Sequence, residues 1–292
     1  MFYRRKVLLA LLEAFGGRLG KTDCEKLLFL FCQTAPLNYY DFFPYHYGGF
    51  SLVSYYDKSI LTKDGFLEAR EDFKLATNES FLEQLKPDDN KALIALAGRI
   101  HIRGDALIKK TYQEYPYFAI RSKIATRLLS TEERKWASTY WNFDDRPCLL
   151  TIGYEGLTID AFLNKLIANN VHVLIDVRNN PFSMKYGFSR LRFQSFVEKA
   201  GVKYYHIPQL GIPSELRKGL KTSESYTSLF TYYEKNILPH NLIYIERIKQ
   251  LFQKHSRVAL TCFESDYQSC HRHKITDHLE EQGFGVKILH LI

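Results

Sequence analysis

Short apolar runs alternate with stretches of helical periodicity throughout the second half of the chain. The apolar runs predict strands at residues 148–152, 171–177, 203–207, 257–262 and 286–290. Helical patterns fill most of the intervals, for example residues 158–169 and 190–200. This alternation is typical of a mostly parallel sheet with helices on both faces, so we expect an α/β domain over residues 146–292.

The first half of the chain has a helical pattern instead. Apolar residues from Val7 to Phe15 fall on one helix face, and Gly16-Gly17 is expected to end that helix. Thr22 and Glu25 have the spacing of a capping box at the start of a second helix.

A third helix is expected at residues 51–62, after an aromatic loop at residues 39–49, and a turn and a short strand follow it. Three helices and a strand are compatible with a winged helix-turn-helix, and helical periodicity returns at residues 90–141. We therefore predict a mainly helical domain over residues 1–145 that is winged-helix-like at its start. The polar, turn-prone segment 142–147 marks the boundary.

Composition supports a folded protein with a polyanionic partner. Among 292 residues, 46% are hydrophobic and 25% charged, and the net charge is +8. Lys and Arg in excess favour nucleic acid, with DNA favoured over RNA, and the 15% aromatic content supplies rings that can stack on bases. No apolar run is long enough for a membrane span, and five cysteines do not suggest a disulfide framework, so we expect a cytoplasmic protein with no membrane partner.

Ionisable residues gather where the predicted strands end, which is the edge at which parallel sheets bind ligands. The first strand ends in Gly153-Tyr154-Glu155-Gly156, whose glycines would let backbone amides approach an anion ahead of a helix N-terminus. A tight strand-to-helix turn is the alternative interpretation. Gly153, Tyr154 and Glu155 are therefore candidate binding residues.

The second and third strand ends carry further candidates. Asp176 and Arg178 alternate around one residue and can point to the same side, Asp176 as an acid–base group and Arg178 as a phosphate ligand. The following segment adds the candidate binding residues Asn180, Lys185 and Arg190. A structural ion pair is the alternative for Asp176 and Arg178.

His206 ends the third strand and could move protons beside a carboxylate. A lone histidine at a strand end is as often a structural residue. Its candidacy therefore depends on its neighbours.

The densest cluster is Cys262-Phe263-Glu264 followed by Cys270-His271-Arg272. Glu264 and His271 are acid–base candidates, Cys262 and Arg272 binding candidates, and Cys270 a nucleophile candidate. The last long helix is expected to start at residue 269 or 270, and a thiol at a helix N-terminus beside Arg ionises readily.

Three alternatives apply to the same cluster. Cys262, Cys270, His271, His273 and His278 could supply zinc ligands, but the eight-residue cysteine spacing is irregular, so a metal ion is not favoured and no cofactor is predicted. Thiol redox chemistry would require the two sulfur atoms to approach each other. In the third interpretation, Cys262 is a buried strand residue and residues 270–272 only cap the helix.

The C-terminal half resembles the family called domain of unknown function 488. The resemblance rests on four ordered blocks: TIGYEG (151–156), IDVRNNP (175–181), HIPQLG (206–211), and CFE (262–264) with CHR (270–272). It implies a compact α/β domain in which these blocks converge, and the family's name leaves its activity open.

The N-terminal part is similar to the antitoxin-associated family called Panacea. The similarity rests on KLLFL (26–30), FFPYHYG (42–48), FS (50–51) and LTKDG (61–65). It implies a bacterial setting of toxin–antitoxin or phage conflict.

Together these features predict an enzyme that processes nucleic acid or a nucleotide by hydrolysis, through base excision or phosphodiester cleavage, in phage defence or DNA repair. The alternative is a non-enzymatic DNA-binding regulator or sensor that holds a nucleotide in the α/β pocket.

Overall fold

A computed structural model describes residues 1–141, 143–217 and 222–291. The chain forms two compact units, Met1–Asn142 and Phe143–Ile292. In the described ranges no helix is long and apolar enough to cross a bilayer.

The N-terminal unit is mainly helical. Its α-helices are α1 (Tyr3–Ala14), α2 (Lys21–Thr34), α3 (Leu52–Lys63), α4 (Pro87–Arg99), α5 (Gly104–Glu114), α6 (Ala125–Leu128) and α7 (Thr131–Ser138). Its strands are β1 (Arg18–Leu19), β2 (Phe43–Tyr45), β3 (Gly48–Phe50) and β4 (Phe73–Lys74), and short 3-10 helices lie at Pro116–Ala119 and Thr139–Trp141.

The start of this unit has an order compatible with the expected winged-helix-like arrangement. Helix α1 ends where predicted, because Gly16 and Gly17 take φ values of 90° and 79°. Strand β1 then pairs with β4 in antiparallel fashion, on either side of α2 and α3 in the sequence. The segment expected to be an aromatic loop instead forms the hairpin β2–β3, in which Phe43 faces Phe50.

The capping box predicted at Thr22 and Glu25 is wrong. Helix α2 begins at Lys21 without a side-chain cap, and Glu25 is buried in the interior. Its carboxylate accepts hydrogen bonds from the Ser51 backbone N–H and the Ser54 hydroxyl. Glu25 therefore stabilises the N-terminus of α3, a partner that lies far away in the sequence and close only in the fold.

The C-terminal unit alternates strands and helices. Its strands are β5 (Cys148–Gly153), β6 (Val173–Asp176), β7 (Lys203–His206), β8 (Arg257–Cys262) and β9 (Lys287–Leu291). Its α-helices are α8 (Ile159–Ala168), α9 (Arg190–Lys199), α10 (Ser223–Tyr232), α11 (Leu242–His255) and α12 (Arg272–Glu281). A π-helix covers Tyr233–Ile237, and 3-10 helices lie at Pro208–Leu210, Ser214–Arg217 and Leu238–Asn241.

The strands of this unit form one parallel sheet in the order β7-β6-β8-β5-β9, which confirms the predicted fold class. Strand β8 comes late in the chain, yet it lies between β5 and β6. The carboxyl ends of β5, β6 and β8 therefore lie side by side, although the sequence separates them widely.

Alternation along the strands sends side chains to two helical layers. Val173 and Ile175 of β6 and Val258 and Leu260 of β8 share one buried cluster. The helical members of that cluster come mainly from α11 and α12: Ile245, Ile248, Leu251, Phe252, Ile275 and Leu279. On α8 and α9, Phe162 and Phe193 pack instead against Phe188.

Candidate functional site

A cavity of about 370 Å³ opens where β5, β6 and β8 end. It is lined by residues that follow these strands and by the segment after β7: Tyr154, Arg178, Asn179, Asn180, Phe182, Ser183, Met184, Ile212, Ser214, Arg217, Cys262 and Phe263. The rim is apolar and exposed, with Phe182 69% and Met184 93% accessible. Four predicted binding residues, Tyr154, Arg178, Asn180 and Cys262, thus contribute to one cavity.

Beside the cavity, two thiols and an imidazole converge. The Sγ atoms of Cys262 and Cys270 each lie 3.8 Å from Nδ1 of His271, and the three atoms all lie within 4.8 Å of one another. The three side chains are fully buried. Cys262 ends β8 and His271 immediately precedes α12, so the approach of α12 to the sheet creates this cluster.

The orientation of His271 is set by the strand end next to it. Nε2 of His271 lies 3.2 Å from the carbonyl oxygen of Val177. A carbonyl only accepts, so Nε2 carries the proton and Nδ1 presents its lone pair toward the sulfur atoms. The ring also packs against Tyr233, with centroids 5.5 Å apart.

Arg217 and Glu264 form the polar wall of the cluster. Nη1 of Arg217 donates to Oε1 of Glu264 at 2.7 Å, and Nη2 donates to Nδ1 of His271 at 3.2 Å. The Cys262 thiol lies 3.3 Å from the other carboxylate oxygen. Arg217 was not among the predicted site residues, because it ends the short 3-10 helix Ser214–Arg217, which has no predicted strand end or motif beside it.

Burial and mutual proximity shift the pKa values of the acidic groups in this cluster. Burial raises the pKa of Glu264, and the charge of Cys262 raises it further. A hydrogen bond from Cys270, together with the charge of Arg217, holds the pKa of Cys262 well below its usual range, whereas burial raises that of Cys270. One thiolate and one thiol are therefore favoured for the pair.

Asp176 and Arg178 form a buried two-point ion pair. Nε and Nη2 of Arg178 donate to the two carboxylate oxygens at 2.8 and 2.6 Å. Nη1 of Arg178 donates to the Tyr154 hydroxyl and to the Phe188 carbonyl oxygen. Burial by itself would lower the pKa of Arg178, but the hydrogen bond and charge of Asp176 outweigh it and raise that pKa. These contacts occupy most of the guanidinium donors and hold the cavity wall together.

Arg272 and Gly153 hold the segment that carries Glu264. The guanidinium of Arg272 donates to the carbonyl oxygens of Glu264 and Ser265. A Cβ atom on Gly153 would lie 1.8 Å from the Glu264 oxygen, so this position requires glycine. Arg272 thus contacts the backbone of the site.

The remaining candidates lie around the cavity in supporting contacts. The amides of Tyr154 and Glu155 donate to the Phe263 carbonyl oxygen, and the Glu155 carboxylate accepts from the Ser265 amide at 3.0 Å. Lys185 donates to the Tyr154 carbonyl oxygen at 3.1 Å. The backbone amides predicted to approach a ligand are therefore directed at the protein itself.

Two further predicted residues have equally local contacts, and a third is exposed. Nε2 of His206 lies 2.8 Å from the Arg178 carbonyl oxygen, and Asn180 accepts a hydrogen bond from the Phe182 amide. Arg190 is exposed at the first position of α9.

The predicted start of the last long helix is wrong by a short distance. Helix α12 begins at Arg272, with His271 as its N-cap. At its start, the His273 amide donates to the Cys270 carbonyl oxygen, three residues back, so the chain enters the helix through a tighter turn. That turn lets the Cys270 thiol reach the end of β8.

The fold and the site together define a parallel α/β domain with a thiol–imidazole cluster at the carboxyl edge of its sheet. Residues 158–279, within the C-terminal unit, match the family model described as Domain of unknown function DUF488. The resemblance predicted for the C-terminal half is confirmed, while that of the N-terminal part to Panacea is not shown. Comparisons with curated proteins and with solved structures give no match.

Proposed function

We propose that the C-terminal unit is a hydrolase acting on a nucleotide or a nucleic acid. The observation that carries this proposal is the pairing of Arg217 with Glu264 beside an aromatic-rimmed cavity at the carboxyl edge of the sheet. A carboxylate and a guanidinium at such an edge are the groups needed to handle water and a negatively charged substrate.

The rim supports recognition of a base. The Phe182 and Phe263 rings are 69% and 42% accessible, and both line the cavity. Exposed rings at a cavity mouth can stack on a nucleobase with little dependence on its identity. The net charge of +8 favours the approach of a phosphate-bearing molecule.

The inner wall supports the chemistry. Glu264 can take a proton from a water molecule that attacks the substrate, which is general base catalysis. Arg217 is positioned to stabilise negative charge on the departing or attacked group, since its planar fork suits phosphate. Asp176 is bonded to Arg178 and Tyr204, so in this mechanism it supports the shape of the cavity. Base excision and phosphodiester cleavage both fit this arrangement.

A regulator or sensor that binds a nucleotide without turnover is the second candidate. It is favoured by the extent to which Asp176, Arg178 and Arg272 are used in internal contacts. The N-terminal unit, with its paired β1 and β4 around α2 and α3, would then contact DNA.

Incubation of the full chain with a panel of nucleotides and single- and double-stranded DNA and RNA, followed by mass spectrometry of the products, tests the proposal. We expect Glu264→Gln to lower turnover by at least about 100-fold while leaving the substrate Kd within about threefold. Glu281→Gln, on the exposed end of α12, is the matched control and should behave like the wild type. Binding without any product, weakened equally by substitution of Arg217 and Glu264, would favour the sensor instead.

A further inference from the structure

We infer that Cys262, Cys270 and His271 form a binding site for a zinc ion. Two cysteine sulfurs and one imidazole nitrogen are a donor set that zinc prefers. The three donor atoms lie within 4.8 Å of one another and come from the end of β8 and the entry to α12. The fold thus brings Cys262 next to Cys270 and His271, and the three side chains together have the composition of a metal centre.

The distances match a tetrahedral ion. Zn–S bonds of about 2.3 Å and Zn–N bonds of about 2.0 Å place tetrahedral sulfur and nitrogen ligands about 3.5 Å apart. Both observed separations between Sγ and His271 Nδ1 are 3.8 Å. The two sulfur–nitrogen separations therefore need only a few tenths of an ångström of adjustment around a bound ion, and the two sulfur atoms already lie within 4.8 Å of each other.

The surroundings of His271 are those of a metal ligand. Its Nε2 is directed at the Val177 carbonyl oxygen at 3.2 Å, which leaves Nδ1 with its lone pair toward both sulfur atoms. Metal-bound histidines commonly donate their other ring N–H to a backbone carbonyl, which fixes the tautomer and the ring orientation. Arg217 donates a hydrogen bond to the same Nδ1. A bound ion would replace that hydrogen bond by coordinating Nδ1, and Arg217 would retain its hydrogen bond to Glu264.

Three protein ligands leave a fourth position, which is typical of catalytic rather than structural zinc. Of the three ligands Cys262 lines the cavity, so a fourth ligand would enter from the space in which the substrate is proposed to bind. Glu264, 3.3 Å from the Cys262 sulfur, is then the acid–base partner of a zinc-bound water. The existence of the zinc site is independent of the proposed function, and only this role of the water rests on it.

Zinc titration of the full chain, reduced and freed of metal with a chelator, tests the site against a chromophoric competitor. We expect one zinc ion per chain. Cys270→Ser and His271→Gln should each weaken zinc binding by more than roughly 100-fold. Loss of a residue that only hydrogen-bonds to a metal ligand costs at most about that much. Cys148→Ser changes another buried thiol, at the opposite end of β5, and should leave affinity unchanged. Binding that is absent, or that survives both ligand substitutions, would overturn the assignment.

A measurement on the unmodified chain separates ligand loss from misfolding. The protein is unfolded gradually with denaturant in the presence of an alkylating reagent, and mass spectrometry measures the labelling of each cysteine. We expect zinc to protect Cys262 and Cys270, but not Cys148, from alkylation. Cobalt bound in place of zinc should show the absorption of a tetrahedral thiolate complex. Equal labelling with and without zinc contradicts the site.

The Glu264→Gln variant tests whether the zinc ion takes part in turnover. This variant should keep one zinc ion per chain at unchanged affinity and lose turnover. Turnover by metal-free protein would leave the proposed function standing and remove the zinc-bound water from it. Stoichiometric zinc with no turnover of any substrate would leave the site standing and remove the hydrolase.

Discussion

The Tyr204 hydroxyl donates a hydrogen bond of 2.7 Å to Oδ2 of Asp176, from one strand of the sheet to its neighbour. Arg178 bonds both oxygens of the same carboxylate. The Asp176 carboxylate therefore accepts three hydrogen bonds from side chains and a fourth from the Arg178 amide, and it has no accessible surface. This arrangement is that of a residue that holds two strand ends and a cavity wall in place.

Asp176→Asn should destabilise the C-terminal unit by about 3 to 5 kcal/mol, because it leaves the buried Arg178 guanidinium without its counter-charge. Tyr204→Phe removes a single hydrogen bond to a charged group and should cost about 1.5 to 3 kcal/mol. Native-state hydrogen exchange at the Val177 amide, which donates to Thr261 across the sheet, reports the opening of this unit. If Asp176→Asn abolished turnover without accelerating that exchange, Asp176 would belong to the chemistry instead.

Gly153→Ala should destabilise the C-terminal unit by several kcal/mol and displace the segment carrying Glu264. The added Cβ would lie 1.8 Å from a backbone oxygen, which cannot move aside as a flexible side chain can. Gly156→Ala is the matched control in the same turn. Nothing lies within 4 Å of its added Cβ and only its φ of 75° is unfavourable, so it should cost about 1 to 2 kcal/mol. Equal costs for the two variants would show that the close approach of Gly153 is not what requires glycine.

Arg272→Gln should loosen the loop around Glu264 without directly touching the cavity. The guanidinium donates to two loop carbonyl oxygens, and losing these bonds should cost about 2 kcal/mol, or roughly 30-fold faster exchange of the Tyr154 and Glu155 amides. Those amides donate to the Phe263 carbonyl oxygen in the same loop. Arg190→Gln, exposed on α9, should leave their exchange unchanged. If Arg272→Gln left the exchange of these amides unchanged but weakened phosphate binding, Arg272 would have its predicted role in binding.

The stability of the N-terminal unit should pass through a minimum near neutral pH. Burial raises the pKa of Glu25 to about 7 and lowers that of Lys26 to about 8. The contribution of Glu25 is fully present below its unfolded pKa and is lost as the pH rises through about 7. The contribution of Lys26 is present above its unfolded pKa and is lost as the pH falls through about 8.

Glu25→Gln should remove the loss of stability between about pH 5 and pH 7, which is on the order of 2 to 3 kcal/mol. Hydrogen exchange at the Ser51 amide, which donates to Glu25, measures this pH-dependent loss of stability locally. Glu83→Gln, at an exposed position, should retain the wild-type profile. Identical pH profiles for all three proteins would falsify the link to Glu25.

Much of the α/β unit could be predicted from the sequence because each of its strands is a compact apolar run bounded by polar turns. The run predicted at residues 257–262 is β8, and the others differ from the observed strands by one or two residues at either end. Local pattern is sufficient for β5, β6 and β8, since these strands are buried along their whole length and a strand buried on both faces has a continuous apolar sequence. The capping-box prediction failed for the complementary reason, because the partners of Glu25 come from another helix.

The sequence by itself determined which residue types stand at the strand ends, and so placed Cys262, Glu264, Cys270 and His271 in one region. Only the tertiary structure decided what they do to one another. The insertion of β8 between β5 and β6 brings the His271 Nε2 to the Val177 carbonyl oxygen, and that contact turns Nδ1 toward both sulfur atoms. Arg217 reaches the same cluster from a short 3-10 helix that no sequence pattern predicted. Distances between side chains on different strands depend on strand order and helix docking, which a linear pattern of apolar and polar residues does not encode.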